Sequence, residues 1–333
     1  MDTVTHALAG YMIARTDLTR DTGRWGIIAG VLSSVFPDVD NVLGIFFGTE
    51  FYVKYHRSIA NSFFLVIPLS LLFAWLFVKV SKVKKFWSFF LIWVVELLAH
   101  TFLDLVTSYG TMILSPLSHH RFALDWVFII DPFLTSAFLL PLMALCIWRR
   151  RGKTLARISV AMAAFYICLC ACNHFWALSL AKAYVQKKGM VTQEVASLPQ
   201  PLFPFHWGNY IVTEKKIYEG FVNLIGTSER VKTSDGNLFS RILARYQPIC
   251  RLQYQPWDRF DGSLWVERAL TLEEVQTFLW FARFPVARYK GIVDGYHRVT
   301  FFDLRFGSIN DRRPFLYVVE FDQEGEVAFQ GFR

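Results

Sequence analysis

Seven side chains in the most apolar half of this chain have the chemistry to hold a metal ion: Asp2, His6, Asp38, Asp40, His56, His100 and Asp104. Their spacing is informative. Glu96, His100 and Asp104 stand four residues apart, and at about 100° per residue they share one stripe of a helix. His100 and Asp104, one turn apart, have a usable spacing for two ligands on one ion. Asp2 and His6 repeat that spacing, while Asp38 and Asp40 flank Val39 just after Pro37, where a turn can aim two carboxylates at one point. A mixed imidazole and carboxylate set suits zinc or another divalent transition metal better than calcium or magnesium. Such an ion lowers the pKa of bound water toward about 7. Asp40 or Glu96 could then act as general base, and Arg57 or Arg121 could hold an anionic group such as a phosphate.

Each residue also has a plainer explanation. A lone histidine in an apolar segment is usually a hydrogen-bonded core residue, and an aspartate before a helix is usually its cap, which would account for Asp2, Asp38 and Asp131. Cys168, Cys170 and Cys172, spaced by two on a helix, point in different directions and are expected to pack rather than ligate; no disulfide framework is indicated. The conjunction weakens the plain reading. An ionisable group at the centre of a membrane helix costs about 2.5–3.5 kcal/mol, and here several fall within a short stretch of apolar chain.

The elements that must position them are membrane helices. Of 333 residues, 54% are hydrophobic and only 19% charged, with mean hydropathy +0.33; this excludes a disordered chain and argues against a purely soluble one. Thr3 to Ala14 reads as a short helix, and no signal peptide of the usual layout is visible. Trp25 to Phe36 is too short to cross about 30 Å of hydrocarbon, stops at Pro37-Asp38-Val39-Asp40 and resumes to Phe47, as a broken membrane element would. Spans are expected at Phe63 to Val78, Phe86 to Val106, Trp126 to Trp148 and about Ile158 to Leu180. Lysines 79, 82, 84 and 85 and the basic run from Arg149 to Arg157 mark two cytoplasmic loops. Alternation then places His6, Asp38, Asp40, His56, His100 and Asp104 toward the outer side, together with the C-terminal domain, which is expected to be periplasmic.

After Ala183 charge and aromatic residues alternate. The fold class expected is an all-α polytopic membrane domain, residues 1–183, followed by a smaller soluble α+β domain, residues 184–333. This second domain is entered through the Pro-rich stretch Leu198 to Phe205. Strands are expected at Tyr210 to Val212, Tyr218 to Ile225, Arg298 to Arg305 and Phe315 to Phe321, the last paired with Val327 to Phe332. Turns are expected at Ser234-Asp235-Gly236 and Glu324-Gly325-Glu326, and a capping box at Thr271 to Glu274 should open a helix to about Arg283.

These motifs carry a family resemblance. Met1-Asp2-Thr3-Val4-Thr5-His6, Pro37-Asp38-Val39-Asp40, His56-Arg57, and His100 through Asp104 to Thr107-Ser108-Tyr109-Gly110 resemble the bacterial inner-membrane metal-dependent hydrolases of the YdjM/YbcI type. Pro116 to Arg121, Leu124-Asp125-Trp126 and Ile130-Asp131-Pro132 fit as well. The likeness covers about residues 1–135 closely and the tail loosely, His297-Arg298-Val299 through Asp303-Leu304-Arg305-Phe306 being the most similar piece. It implies a multi-pass protein of the bacterial inner membrane with a metal site, distantly similar to zinc-dependent phospholipases C. One departure matters. The family usually reads H-R-x-x-T-H-S, and this chain has Asn61 where the second histidine is expected.

Three functions follow as expectations. The leading one is a membrane-bound metal-dependent hydrolase acting on a phosphoester or other lipid-derived, anionic substrate at the outer face. The second is a metal or proton transporter using Glu96, His100 and Asp104, although two inverted halves are not visible. The third is a catalytically inactive envelope scaffold, which Asn61 would suit. Nothing resembles a helix-turn-helix or a base-stacking platform, so nucleic acid is not an expected partner despite a pI near 9.2.

Overall fold

Apolar runs bounded by charged turns become helices in the first half of the chain. The computed structural model describes residues 1–226, 243–307 and 313–333. The expected turn at Ser234-Asp235-Gly236 lies outside them. α1 (Thr3–Ile13) runs into a π-helical turn at Ala14–Leu18. α2 (Gly23–Val35) ends in a 3-10 turn at Phe36–Asp38, and α3 (Val39–Tyr55) is broken at Gly48, whose φ of +87° is open to glycine and strained for other residues. α4 (Phe63–Ser81), α5 (Phe86–Leu105), α6 (Pro132–Ile147) and α7 (Gly152–Lys188) follow.

Among the described residues, four segments are long and apolar enough to cross a membrane: Gly23–Tyr55, Phe63–Ser81, Phe86–Leu105 and Arg149–Lys188. The expected span Trp126 to Trp148 needs correction. Its helix is the 16 residues of α6, because Pro132 occupies the first helical turn and Asp131 caps it, accepting from the backbone N–H groups of Phe133 and Leu134 at 2.9 Å each. Residues before the cap are extended, with Val127 bridging to Thr107. α7 in turn is 37 residues long and overruns the expected Ile158 to Leu180 at both ends.

The chain divides into two units. The first comprises Met1–Phe46, Tyr55–Phe175 and Pro199–Phe205. One core there joins α2, α4 and α5 through Ala29, Val66, Phe77, Phe89 and Trp93, with Phe73 stacked on Trp93 at 4.1 Å. Another joins α1, α5, α6 and α7 through Met12, Leu103, Phe138 and Ile167. α1 and α2 approach closely because glycines face each other: a Cβ at Gly10 would fall 2.8 Å from the Gly30 carbonyl oxygen. Outward faces are apolar, as lipid contact requires; Leu72, Trp75, Leu91 and Phe165 are exposed.

The second unit comprises Phe47–Lys54, Trp176–Leu198 and His206–Arg333. Its first sheet orders β1 (Glu194–Pro199), β2 (His206–Val212), β3 (Lys216–Asn223) and β4 (Gln247–Pro248), with β5 (Gln255–Asp258) also on β3. Two helices, α8 (Leu264–Ala269) and α9 (Glu273–Phe281), precede an antiparallel meander of β6 (Pro285–Val293), β7 (Tyr296–Asp303), β8 (Tyr317–Phe321) and β9 (Val327–Phe332). Asp294 and Gly295, both with positive φ, make the tight β6–β7 turn. Phe284, Val286 and Phe302 pack against Ala196, Tyr210 and Ile217, joining the two sheets. The helical first half with its candidate membrane spans and the antiparallel sheets after it give the expected fold class. The expected capping box does not form: the Thr271 hydroxyl donates to the Arg268 carbonyl at 2.8 Å, and Leu272 occupies the N-cap without a side-chain bond.

Candidate metal centre

The site is assembled from five places in the chain. α1 brings His6, the 3-10 turn after α2 brings Asp38, the start of α3 brings Asp40, and α5 brings His100 and Asp104. The loop between α3 and α4 adds His56, Arg57 and Asn61. His6, Asp38, His100 and Asp104 each place one ligand atom within 4.8 Å of the others, and all four are buried. Asp38, Asp40 and His56 form a second such group, so Asp38 belongs to both. These are the groups found among the described residues that could hold a metal ion.

Asp104 is the hub. His6 Nε2 lies 3.2 Å from its Oδ1 and His100 Nε2 3.3 Å from its Oδ2. The Asn61 amide donates to Oδ2 at 2.7 Å, Arg57 Nη2 lies 3.0 Å from Oδ1, and the Met1 amino group also bonds to Oδ1. The two imidazoles stack with centroids 3.8 Å apart. His100 Nδ1 donates to the Ser34 carbonyl at 2.7 Å, which leaves Nε2 with its lone pair toward Asp104 and Asp38. His6 Nδ1 and His100 Nε2 have no hydrogen-bond partner although both are buried. Buried polar nitrogens are normally satisfied. An unsatisfied His100 Nε2 facing Asp38 and Asp104, with His6 Nε2 beside the same Asp104, therefore fits a divalent ion.

At the second group, His56 Nδ1 and Asp40 Oδ1 are 2.9 Å apart, and Asp40 is the least enclosed of the acids. Burial above all, and then the neighbouring Arg57 charge, push the His56 imidazole below its ordinary pKa, against the pull of Asp40. That favours the neutral ring, which can ligate.

Three residues proposed from sequence are placed differently from their expected roles. Asp2 is a helix cap outside both groups, accepting from Thr5 N–H at 2.9 Å and from the Thr5 hydroxyl at 2.7 Å. Glu96 shares the α5 stripe and is buried, but lies outside both groups, and neither carboxylate oxygen has a partner. Arg57 is not poised for an external anion. It is enclosed, bonding Thr107 Oγ1 at 2.7 Å and facing Asp104, and its φ of +58° puts it in the left-handed region at a cost of about 1–2 kcal/mol. Its backbone N–H donates to Asp40 Oδ2 at 3.2 Å and its carbonyl accepts from Met112 N–H, which hold that conformation. Arg121 is only partly buried and donates to the carbonyls of His56 and Gly110.

Supporting residues to which the sequence assigned no role include Thr3, whose hydroxyl donates to Asp38 Oδ2 at 2.7 Å, along with Ser34 and Thr107, the last standing within the Thr107 to Gly110 motif. Thr3 lies within the Met1 to His6 motif, so a signal for it was present. Ser34 acts through its backbone carbonyl, which no residue type announces.

The family model for the YdjM inner membrane protein matches residues 1–177, the half that holds every residue of both groups. The chain belongs to the YdjM inner membrane protein family. Family membership and the apolar helices make it a multi-pass protein of the inner membrane. It is also similar, at 24% identity over 307 residues covering 88% of this chain and 80% of the relative, to the uncharacterized protein YfhP of Bacillus subtilis (strain 168). No solved structure matches.

Proposed function

We propose that this member of the YdjM family is a membrane-embedded, metal-dependent hydrolase acting on a phosphoester or lipid-derived anionic substrate at the outer face of the inner membrane, with its C-terminal domain periplasmic. The observation that supports this is the convergence of His6, Asp38, His100 and Asp104 with the buried His100 Nε2 unsatisfied. His6, His100, Asp104 and Asp38 would hold the ion, which leaves Asp40, beside His56, as a carboxylate outside that set. An ion of the zinc type would act as a Lewis acid and lower the pKa of water.

The remaining work falls to the chain's own residues. Asp40, the most accessible carboxylate and already hydrogen-bonded to His56, takes the proton from the attacking water. Arg57 positions Asp40 through its backbone and Asp104 through its guanidinium. Thr3 and the Ser34 carbonyl fix the orientations of Asp38 and His100. Arg121, beside His56, is the cation suited to draw in an anionic group.

The test is metal content by mass spectrometry after purification without chelators, together with cleavage of a generic aryl phosphodiester. Wild type should carry a stoichiometric divalent metal and hydrolyse; His100→Ala and Asp104→Ala should lose both. A metal-free wild type would refute the proposal. One observation favours a second reading. Glu96, ionisable and without a partner inside a membrane helix, suits a proton or metal path; metal uptake into proteoliposomes without hydrolysis would select it.

A further inference from the structure

The end of the helical unit where α6 turns into α7 gathers charge of one sign by tertiary contact. Arg149, Arg150 and Arg151 form an exposed 3-10 turn, followed by Lys153 and Arg157 on the first turns of α7. The π-helical turn after α1 adds Arg15. Its guanidinium lies directly against Gly152, where a Cβ would come within 2.9 Å of both Nε and Nη2. Arg15 Nη1 donates to the Tyr11 hydroxyl at 3.1 Å, while its Nε is buried with no partner. Asp17, from the same turn, bonds Lys153 at 3.0 Å and also Arg157. Six cations thus meet one bonded carboxylate, a surplus of five positive charges at the N-terminal end of a 37-residue helix, which itself favours anions.

The neighbouring residues set the depth of this patch. Ile147 and Trp148, immediately before the arginines, are 75% and 56% exposed. An exposed tryptophan between an apolar helix and an arginine run belongs at the boundary of hydrocarbon and headgroups. Orientation alone needs only basic residues somewhere in the loop. It does not require Arg15 to be carried from α1 onto the backbone of Gly152, nor one of its donors to remain buried and unused.

We propose that this patch is a binding site for the headgroup of an anionic phospholipid, its phosphodiester held by Arg15 and the Arg149–Arg151 turn while its acyl chains lie along the exposed apolar residues of α6 and α7. Charge complementarity chooses the occupant. A zwitterionic lipid offers no compensation for the surplus, and a juxtamembrane cation gains from an anionic lipid where it meets the headgroups.

The test uses the full-length protein in nanodiscs of phosphatidylcholine with about one-fifth phosphatidylglycerol, enough to supply an anionic surface, followed by native mass spectrometry of retained lipid. Wild type should retain phosphatidylglycerol over phosphatidylcholine. The pair Arg149→Gln with Arg150→Gln should lower that retention at least about tenfold, and Arg15→Gln should lower it as well. Lys84→Gln with Lys85→Gln, an equal charge change in another basic loop, should leave it unchanged. Equal retention of both lipids by wild type would overturn the proposal, as would an equal loss in the lysine pair. Displacement of the lipid by millimolar inorganic phosphate, itself sensitive to the arginine pair, would reassign the patch to free phosphate and overturn the lipid site.

Discussion

Asp104 and Arg57 are opposite charges enclosed together in the helical unit, 3.0 Å apart. Converting Asp104 to Asn keeps the side chain's size but removes the charge facing Arg57, whose guanidinium cannot reach water from its buried position. Breaking a buried pair by removing one partner costs about 3–5 kcal/mol, most of it from the stranded charge. At about 2–4 °C per kcal/mol, melting should fall by roughly 6–20 °C. Arg57→Met should cost less, since Asp104 keeps the Met1 amino group and the Asn61 amide as partners. The double variant should melt above Asp104→Asn, because the buried Arg57 charge is then removed together with its partner; the recovered coupling should be about 2 kcal/mol or more. The assay is thermal unfolding of full-length protein in neutral detergent with a chelator present, followed by tryptophan fluorescence. Chelation separates the ion-pair effect from loss of a metal ligand. If Asp104→Asn melts within about 1 °C of wild type, or the double variant shows the sum of the single losses, the placement of Asp104 as electrostatic hub is wrong.

Two further outcomes test other parts of the structure. Gly10→Ala should destabilise by about 1–3 kcal/mol through overpacking of α1 on α2, because the new methyl meets the Ser34 Cβ at 2.5 Å and the Gly30 carbonyl oxygen at 2.8 Å; unchanged melting would contradict that close approach. His206, pushed down to about 4 by burial, should make the sheet unit acid-sensitive: the unfolded chain binds the proton first, so stability is full above about pH 6.5 and falls as pH drops toward 4, by about 2–3 kcal/mol, and His206→Phe should flatten that component in pH-dependent thermal melts while keeping the ring stack on Tyr246.

Side-chain periodicity told which residues share a face, and the structure honours that for α5: Glu96, His100 and Asp104 are all buried on one stripe. It could not tell depth. Eight residues separate Glu96 from Asp104, about 12 Å along the axis, so a shared face does not imply a shared site. Asp2 failed for a related reason. One carboxylate could cap α1 or join the cluster, and the nearby Thr5 N–H and hydroxyl claim both of its oxygens. In the sheet unit, the β8–β9 hairpin was readable because alternation and a Glu-Gly-Glu turn agree. β1 and β6 were not, because Pro199 and Pro285 sit at their ends and make the flanking sequence look like linker.

Asn61 shows most clearly what a residue's type leaves open. From sequence it is a histidine lost from a ligand motif, and that points to a weakened or inactive site. In the folded chain its amide nitrogen donates to Asp104 Oδ2 at 2.7 Å, on the same oxygen that faces His100 Nε2. An amide there orients the carboxylate and leaves His6 and His100 as the imidazoles of the four-residue group. An imidazole in its place would add a third ring beside a stacked pair and compete with His100 for the same carboxylate. Asn61 therefore stands as a group that orients Asp104, and the cluster of two imidazoles and two carboxylates is complete without it.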